Sequence, residues 1–322
     1  MSDPFDVCCV GQMCTDVFVG TVAEVPASGQ MVFLDEATLS IGGCGLNTAV
    51  GLAALGARTE LLGKTGDDGY GAVLRNTLAL TDVNVDGLRF ETGAQSSMSV
   101  VLIDPSGERS ILHVQGTNAT LGYDDIDFEK LAQAKYLFMG GTLAMQAIDH
   151  GEGVKILKKT KELGLTTFVD TSWDSTGRWF QSIGSSLPYI DWFLPSIEEA
   201  KQMIGSSDPE ELANKFRSHG AKNVVIKMGS KGVYVRPQDG KAFYIGIYDV
   251  PVVNTAGAGD AWCAGFIAGF VKELPLKECA LLGAANSALA VTGTGTTNAL
   301  RDYEETRKFM RETAYIEPEV QR

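Results

Sequence analysis

The most chemically suggestive stretch of the chain is the segment NTAGAGD at residues 254–260, which runs into an apolar helix predicted over residues 261–271. Glycines at 257 and 259 allow a tight turn and let a ligand approach the backbone closely. The free N–H groups and the dipole of a helix start favour bound anions, such as the charged oxygens of a migrating phosphoryl group. Asp260 stands at that helix start, where its carboxylate could accept a proton from an attacking hydroxyl. A plain turn with Asp260 as a helix cap is the alternative interpretation.

Polar groups suited to a polyol follow two glycine-containing segments near the N-terminus. In IGGCGLN at residues 41–47, adjacent glycines permit close backbone approach, and Asn47 offers both a donor and an acceptor. Asp16 follows Gly11, which ends the first apolar run, by five residues, and a carboxylate can accept two vicinal hydroxyls. Tight helix packing and a turn-forming aspartate are the alternative interpretations of these two segments.

These polar groups need a scaffold, and from residue 136 onward short apolar runs alternate with helical segments. Strands are predicted at residues 136–139, 167–169, 192–194 and 223–227. Such alternation predicts an α/β fold with a mostly parallel sheet covered by helices on both faces.

Two early strand pairs do not follow this rhythm. Residues 17–19 and 31–34 flank a Pro/Ser/Gly segment, and residues 97–103 and 109–114 flank a strong turn signal. No long linker or internal repeat divides the chain. We therefore expect a single domain over residues 1–322, with a small β lid from about 12–36 and 95–115.

Composition excludes several classes of protein. The formal net charge of −13 carries no basic stripe, which argues against a nucleic-acid partner. No segment approaches about 20 uninterrupted apolar residues, so we expect no membrane span, and the first residues lack the features of a secretory signal. The six cysteines form no CxxC pair, which predicts reduced thiols, no zinc site and a cytoplasmic location.

Two segments together resemble the signatures of a known family. The glycine-rich stretch that continues into LLGKTGDDGYG at residues 61–71 resembles the N-terminal signature of the ribokinase-like (PfkB) carbohydrate kinases, and residues 254–260 are similar to their C-terminal signature. The resemblance covers nearly the whole chain. It implies a ribokinase-like three-layer α/β/α domain with a small β lid, and ATP-dependent phosphorylation of a sugar hydroxyl. A nucleoside kinase of the same fold and a non-catalytic sugar-binding protein are the alternatives.

The resemblance also implies roles for individual residues. Asp260 matches the catalytic base, and the amides of residues 256–259 match the anion hole, including Gly257, Ala258 and Gly259. Residues implied to hold the sugar are Asp16, Gly43 and Asn47. Residues implied to bind the nucleotide are Lys227, Gly229, Gly232 and Asn286. The expected cofactors are ATP and Mg²⁺, with Glu199 organising the metal through water, and the lid often makes a homodimer interface.

Three positions depart from the family pattern. Asn254 replaces an aspartate that often supports a monovalent cation, which leaves activation by potassium open. Ser196 replaces the asparagine of an Asn-x-x-Glu motif, so the metal shell could differ. Cys44 stands where ribokinase-type members have lysine, which weakens the assignment of ribose as substrate.

Overall fold

The computed structural model describes residues 5–20, 22–105 and 109–318, and the elements below are those of this part. The strands are β1 (Val7–Gly11), β2 (Cys14–Val19), β3 (Ala37–Gly42), β4 (Thr59–Gly66), β5 (Leu88–Glu91), β6 (Met98–Ile103), β7 (Arg109–Val114), β8 (Tyr136–Thr142), β9 (Thr166–Thr171), β10 (Trp192–Phe193), β11 (Asn223–Lys227), β12 (Val233–Arg236), β13 (Phe243–Ile245), β14 (Ile247–Tyr248) and β15 (Tyr315–Ile316). The helices are α1 (Cys44–Ala54), α2 (Gly69–Leu78), α3 (Phe128–Leu131), α4 (Gly153–Glu162), α5 (Phe180–Ile183), α6 (Ile197–Ile204), α7 (Pro209–Ser218), α8 (Ala258–Val271), α9 (Leu276–Ala290) and α10 (Tyr303–Glu312).

Nine of these strands form one sheet in the order β13-β12-β11-β10-β9-β8-β1-β4-β5. Neighbouring strands from β11 to β5 pair in parallel, whereas β12 and β13 extend the sheet antiparallel at one edge. Successive residues of β1 enter different cores: Cys9 packs with residues of α1, α8 and α9, and Val10 with residues of α4, α6 and α7. The predicted α/β fold, with helices on both faces of a mostly parallel sheet, is confirmed.

The first strand and the first helix meet through glycines. Gly11 has a φ of +150°, and a methyl group built there would overlap the Gly140 carbonyl oxygen at the end of β8. A methyl group built on Gly45, in the first turn of α1, would lie 2.8 Å from the Gly11 carbonyl carbon. These contacts bring the start of α1 onto the carboxyl ends of β1 and β8, the edge at which ligands bind in sheets of this type.

Helix boundaries follow local capping chemistry. The Asp68 carboxylate accepts a hydrogen bond from the Gly71 amide at 2.9 Å, and the Ser196 hydroxyl accepts one from the Glu199 amide at 3.3 Å. The apolar helix predicted over residues 261–271 is confirmed by α8, which begins three residues earlier. None of the helices in the described ranges combines the length and apolar character needed to cross a membrane.

A second, four-stranded sheet has the order β3-β2-β6-β7. The hairpin predicted from residues 97–103 and 109–114 is confirmed by β6 and β7, although residues 106–108 of its turn lie outside the described part. The predicted pairing of residues 17–19 with 31–34 is wrong, because β2 pairs with β3 instead, with Asp16 opposite Ser40. The apolar side chains at 31–34 are exposed, Phe33 to 88%, whereas β3 ends in buried residues that lead directly into α1. Apolar character marked the wrong partner because the apolar side chains of this segment are exposed rather than buried in a core.

Glu60 on β4 is a buried carboxylate whose charge opposes folding. Its Oε1 accepts a hydrogen bond from the Gly87 amide at 2.7 Å, and Lys130 lies 3.9 Å away, but Oε2 has no partner among the described atoms. Burial raises the pKa of Glu60 to about 7. Since a raised carboxyl pKa means that the folded state holds the proton more tightly, this residue's contribution to stability is present at low pH and is lost as the pH rises toward 7.

We therefore expect the unfolding free energy of E60Q, relative to wild type, to rise by up to about 3 kcal/mol between about pH 4 and about pH 8. Urea titrations across this range measure the difference. E304Q, which changes an exposed glutamate on α10, is the matched control. A difference that does not vary with pH would contradict the expectation.

Candidate active site

The Asp260 carboxylate is buried in the first turn of α8. Its Oδ2 accepts a hydrogen bond from the Asn47 side-chain amide at 2.8 Å, and the Cys44 thiol also donates to the carboxylate. Asn47 Oδ1 lies 2.9 Å from the Thr296 hydroxyl, which in turn lies 2.9 Å from the Ile41 carbonyl oxygen. Burial raises the pKa of Asp260, and the Asn47 hydrogen bond and the Lys227 charge oppose that rise. The Asp260 carboxylate, at the start of α8, is thus held in one orientation by side chains from the start of α1.

The backbone around Asp260 has the geometry of an anion site. Gly257 caps α8 in the left-handed conformation, with φ of 75°, and a methyl group built on it would lie 2.7 Å from the Thr296 carbonyl oxygen. In the described part of the chain, the amides of Gly257, Gly259 and Asp260 have no hydrogen-bond acceptor. Unpartnered amides at a helix N-terminus bind negative charge.

Asp16 lies in the β lid, on the side that leads into α1. Its Oδ1 accepts a hydrogen bond from the Cys14 thiol at 3.1 Å, and its carboxylate occupies the space that a side chain on Gly42 would fill. Gly43 follows as the N-cap of α1, with φ of 95°. Burial raises the pKa of Asp16, and hydrogen bonds from Cys14 and Ser99 oppose that rise. The structure therefore gathers Asp16, Gly43 and Asn47 at one corner. Their predicted contacts with a sugar remain a prediction.

Lys227, the last residue of β11, forms a buried ion pair with Asp170 on β9. Its Nζ lies 2.7 Å from each Asp170 carboxylate oxygen. Burial lowers the pKa of Lys227, but the charges of Asp170 and Glu199 outweigh that effect and leave it above its usual value. The predicted contact of Lys227 with a nucleotide remains a prediction.

Glu199 lies in the first turn of α6 and is buried beside this pair. Its Oε2 accepts hydrogen bonds from the Thr171 hydroxyl at 2.7 Å and from the Ser196 amide at 2.9 Å. Ser196 thus acts as a helix cap at the position where the family has asparagine. Burial raises the pKa of Glu199, with the Asp170 charge adding to the effect. No cluster of three acidic, cysteine or histidine side chains suited to a metal occurs within the described ranges.

The other predicted nucleotide residues occupy two different places. Gly229 and Gly232 form the turn between β11 and β12 and have φ values of 58° and 81°. Asn286 on α9 is fully buried, and its amide donates to the Ala261 carbonyl at 2.8 Å, which ties α9 to α8. Its predicted position beside an adenine remains a prediction.

Asn254 does not offer a cation site. Its Nδ2 donates a hydrogen bond to the Gly295 carbonyl at 3.0 Å, and its Oδ1 accepts one from the Ala256 amide at 2.9 Å. The neutral amide thereby ties the loop before α8 to the loop at Gly295. Because an N–H group faces that carbonyl oxygen, the residues present do not fit a monovalent cation at this position.

Two residues of this site, Asp170 and Thr296, lie outside the motifs on which the predicted site rests. Asp170 lies inside a buried strand, where its position gives no sign of a partner 57 residues away. Thr296 lies in a Gly/Thr-rich segment, TGTGTTN at residues 292–298, that reads as an ordinary loop. The glycines of this segment were the one available signal, because glycine lets a loop approach a ligand or another backbone closely.

Comparison with solved structures defines the class of fold. The chain superimposes with a TM-score of 0.84 on an Arabidopsis thaliana ribokinase complexed with ribose and ATP, at 24% identity over 96% of this chain and 99% of that one. An Escherichia coli chain in complex with ATP and Mg²⁺ gives a TM-score of 0.82 at 19% identity, over 95% and 99%. The fold is ribokinase-like, as expected.

The family follows from sequence. The model of the pfkB family carbohydrate kinases matches residues 5–302, and this chain belongs to that family. It is 27% identical to a 5-dehydro-2-deoxygluconokinase of Bacillus cereus, over 97% of this chain and 96% of that one. The protein is accordingly a sugar kinase, an enzyme that transfers a phosphoryl group.

Proposed function

We propose that this enzyme uses ATP to phosphorylate a hydroxyl of a sugar or sugar-like molecule, with Asp260 as catalytic base and the amides of residues 256–259 as anion hole. The observation that carries the proposal is the Asp260 carboxylate, oriented by Asn47 at 2.8 Å beside the Gly257, Gly259 and Asp260 amides, which have no acceptor in the described chain. The other two amides of the predicted hole already have acceptors: Ala256 donates to Asn254 Oδ1 at 2.9 Å and Ala258 to the Thr255 carbonyl at 3.4 Å. A base next to an anion site is what transfer of a phosphoryl group to an alcohol requires.

The substrate hydroxyls bind between the lid and α1, at Asp16, Gly43 and Asn47. Asp260 accepts the proton of the attacking hydroxyl, and the amides of Gly257, Ala258 and Gly259 stabilise the charge on the moving phosphoryl oxygens. The lid covers the site and excludes water, which limits hydrolysis of ATP.

The nucleotide binds along the turn at Gly229 and Gly232, with Lys227 and Asn286 as further predicted contacts. Glu199 would hold Mg²⁺ through water, and the metal would supply positive charge to neutralise the phosphates. The buried carboxylate of Glu199, which interacts with the charges of Asp170 and Lys227 at the same sheet edge, fits this role. Mg²⁺ commonly binds with few protein ligands and several waters, in keeping with the lack of an acidic cluster within residues 5–20, 22–105 and 109–318.

A sugar acid is the substrate class we favour. The name of the Bacillus cereus relative denotes a gluconate derivative, which carries a carboxylate. In this chain a cavity of about 240 Å³ lies after β8 and β9 and is lined by Leu143 and Arg178, among others. The Asp149 carboxylate also lines the cavity and already accepts hydrogen bonds from the Leu143 and Met145 amides. Arg178 makes no ion pair with any described residue. The guanidinium is therefore available for a substrate carboxylate.

A substrate panel tests both levels of this proposal. ADP release is measured with sugar acids (including 5-dehydro-2-deoxygluconate), ketoses, aldoses and nucleosides. We expect the highest kcat/KM with a sugar acid, and for R178M a fall of at least about tenfold with that acid and little change with neutral sugars. R236M, which changes a half-buried arginine on β12 that hydrogen-bonds Asn214, is the matched control. Preference for a nucleoside would select the alternative kinase, and saturable sugar binding without ADP release would favour a non-catalytic protein.

Assembly and location remain predictions. Edge strands β3 and β7 of the four-stranded sheet, which forms the lid, expose Leu39, Ile111 and Leu112, and Phe33 in the segment before β3 is also exposed. An apolar surface bounded by unpaired strand edges suits a second copy of the chain, so we propose a homodimer through the lid. The six free thiols agree with the predicted cytoplasmic location.

A further inference from the structure

The Lys227–Asp170 ion pair is buried more deeply than the other ion pairs in the described part of the chain. The Lys227 side chain is 12% exposed and that of Asp170 is 2% exposed. Removing two charges from water is costly, and a well-packed apolar pair of similar volume would stabilise a fold at least as well. A buried pair at the ligand-binding edge of the sheet therefore points to a role other than stability.

The position of the ammonium group indicates what that role is. A methyl group built on Gly259 would lie 3.3 Å from Lys227 Nζ, and the Cys263 sulfur lies 3.8 Å from it. The positive charge thus rests against the first turn of α8, beside the residue that precedes Asp260. Two hydrogen bonds from a single ammonium to both oxygens of Asp170 fix it there.

We propose that Lys227, held by Asp170, is a positioning residue for phosphoryl transfer: it stabilises the ionised form of Asp260 and adds positive charge behind the amides of residues 257–260. This inference rests on the proposed function and adds a residue pair to it. Lys227 acts on the reacting groups through Asp260 and the α8 backbone, so it is distinct from a residue that contacts the sugar.

The surroundings of Asp260 explain why a nearby cation matters. Burial raises the pKa of Asp260, and the Lys227 charge is one of the influences that lower it. The other groups that face Asp260 from the described elements packed around it carry no positive charge: Asp170 on β9 and Glu199 on α6 are carboxylates, and burial raises the pKa of the Cys14, Cys44 and Cys263 thiols, which keeps them neutral. Without Lys227, the Asp260 carboxyl would stay protonated at pH values at which it is ionised in the wild type. The enzyme would therefore lose activity at those pH values.

The test compares two lysines at opposite ends of the same strand. Lys227 is the last residue of β11, and Lys222 is the residue just before the strand begins. Lys222 pairs with Asp191 at 2.8 Å, at the end of the strand away from α8. We measure the pH dependence of kcat/KM for K227M, K222M and wild type. For K227M we expect the acidic limb to move up by at least about one pH unit and the plateau kcat to fall at least about tenfold, while K222M follows wild type. A merely structural role would not move the limb.

A second variant keeps the proposal open to refutation if K227M does not fold. K227R retains the positive charge next to Asp170, so its acidic limb should stay at the wild-type position even if kcat falls. The proposal is overturned if active K227M shows the wild-type limb, or if the limb of K227R moves upward. Failure of the proposed function looks different, since wild type itself would then release no ADP with any substrate, and the role of Lys227 would fall with it.

Discussion

Replacing Asp260 with asparagine should lower kcat by at least about 100-fold, because the asparagine side chain cannot accept the proton of the substrate hydroxyl. The substitution keeps the shape of the side chain, and the Asn47 amide at 2.8 Å can still donate to the oxygen that remains. ATP affinity should therefore persist, since the amides of α8 are unchanged. Steady-state ADP release and calorimetric ATP binding measure the two effects separately.

The control for this variant is D302N, which changes an aspartate whose carboxylate caps α10 through the Glu305 amide at 2.8 Å. Asparagine caps helices as well as aspartate does, so D302N should keep wild-type turnover. Near-normal turnover in D260N would show that Asp260 is not the catalytic base. Loss of ATP binding together with turnover would show instead that the α8 start had been disturbed.

Replacing Gly257 with alanine should lower kcat by about 100-fold or more, in the range found when one donor of an anion hole is lost. A methyl group there would lie 2.7 Å from the Thr296 carbonyl oxygen and 2.9 Å from the Thr296 Cβ. The loop must move to relieve these contacts, and the unpartnered amides then no longer point at one spot. The φ of 75° adds backbone strain for any residue other than glycine.

The variant G56A separates the effect of backbone strain from the effect of displacing the amides. Gly56 follows α1 with φ of 82°, and a methyl group there would meet only the Lys272 Nζ at 4.0 Å. Both variants carry the strain of a left-handed residue, about 1–2 kcal/mol. Thermal melts should therefore show that this strain lowers the stability of both variants relative to wild type. The value of kcat, in contrast, should fall in G257A alone. Equal activity in the two variants would mean that the 256–259 amides do not hold the phosphoryl group.

Local chemistry explains why much of this protein could be predicted. Residue pairs close in sequence specify the helix starts, such as Asp68 with Gly71 and Ser196 with Glu199. Alternation of apolar strands and helices specifies a mostly parallel sheet. The glycines before Asn47 and Asp260 mark two tight approaches of the backbone, and both helices do begin at one corner of the site.

What the sequence by itself determined was the class of fold, the helix starts and the residues of the two glycine-rich segments, because each depends on neighbours within a few positions. The tertiary structure alone decided three things: that β3 rather than residues 31–34 pairs with β2, that Asp170 meets Lys227, and that Thr296 meets Asn47 across 249 residues. Strand pairing and buried ion pairs depend on which distant segments the packed core brings together. No local pattern of apolar or polar residues encodes that choice.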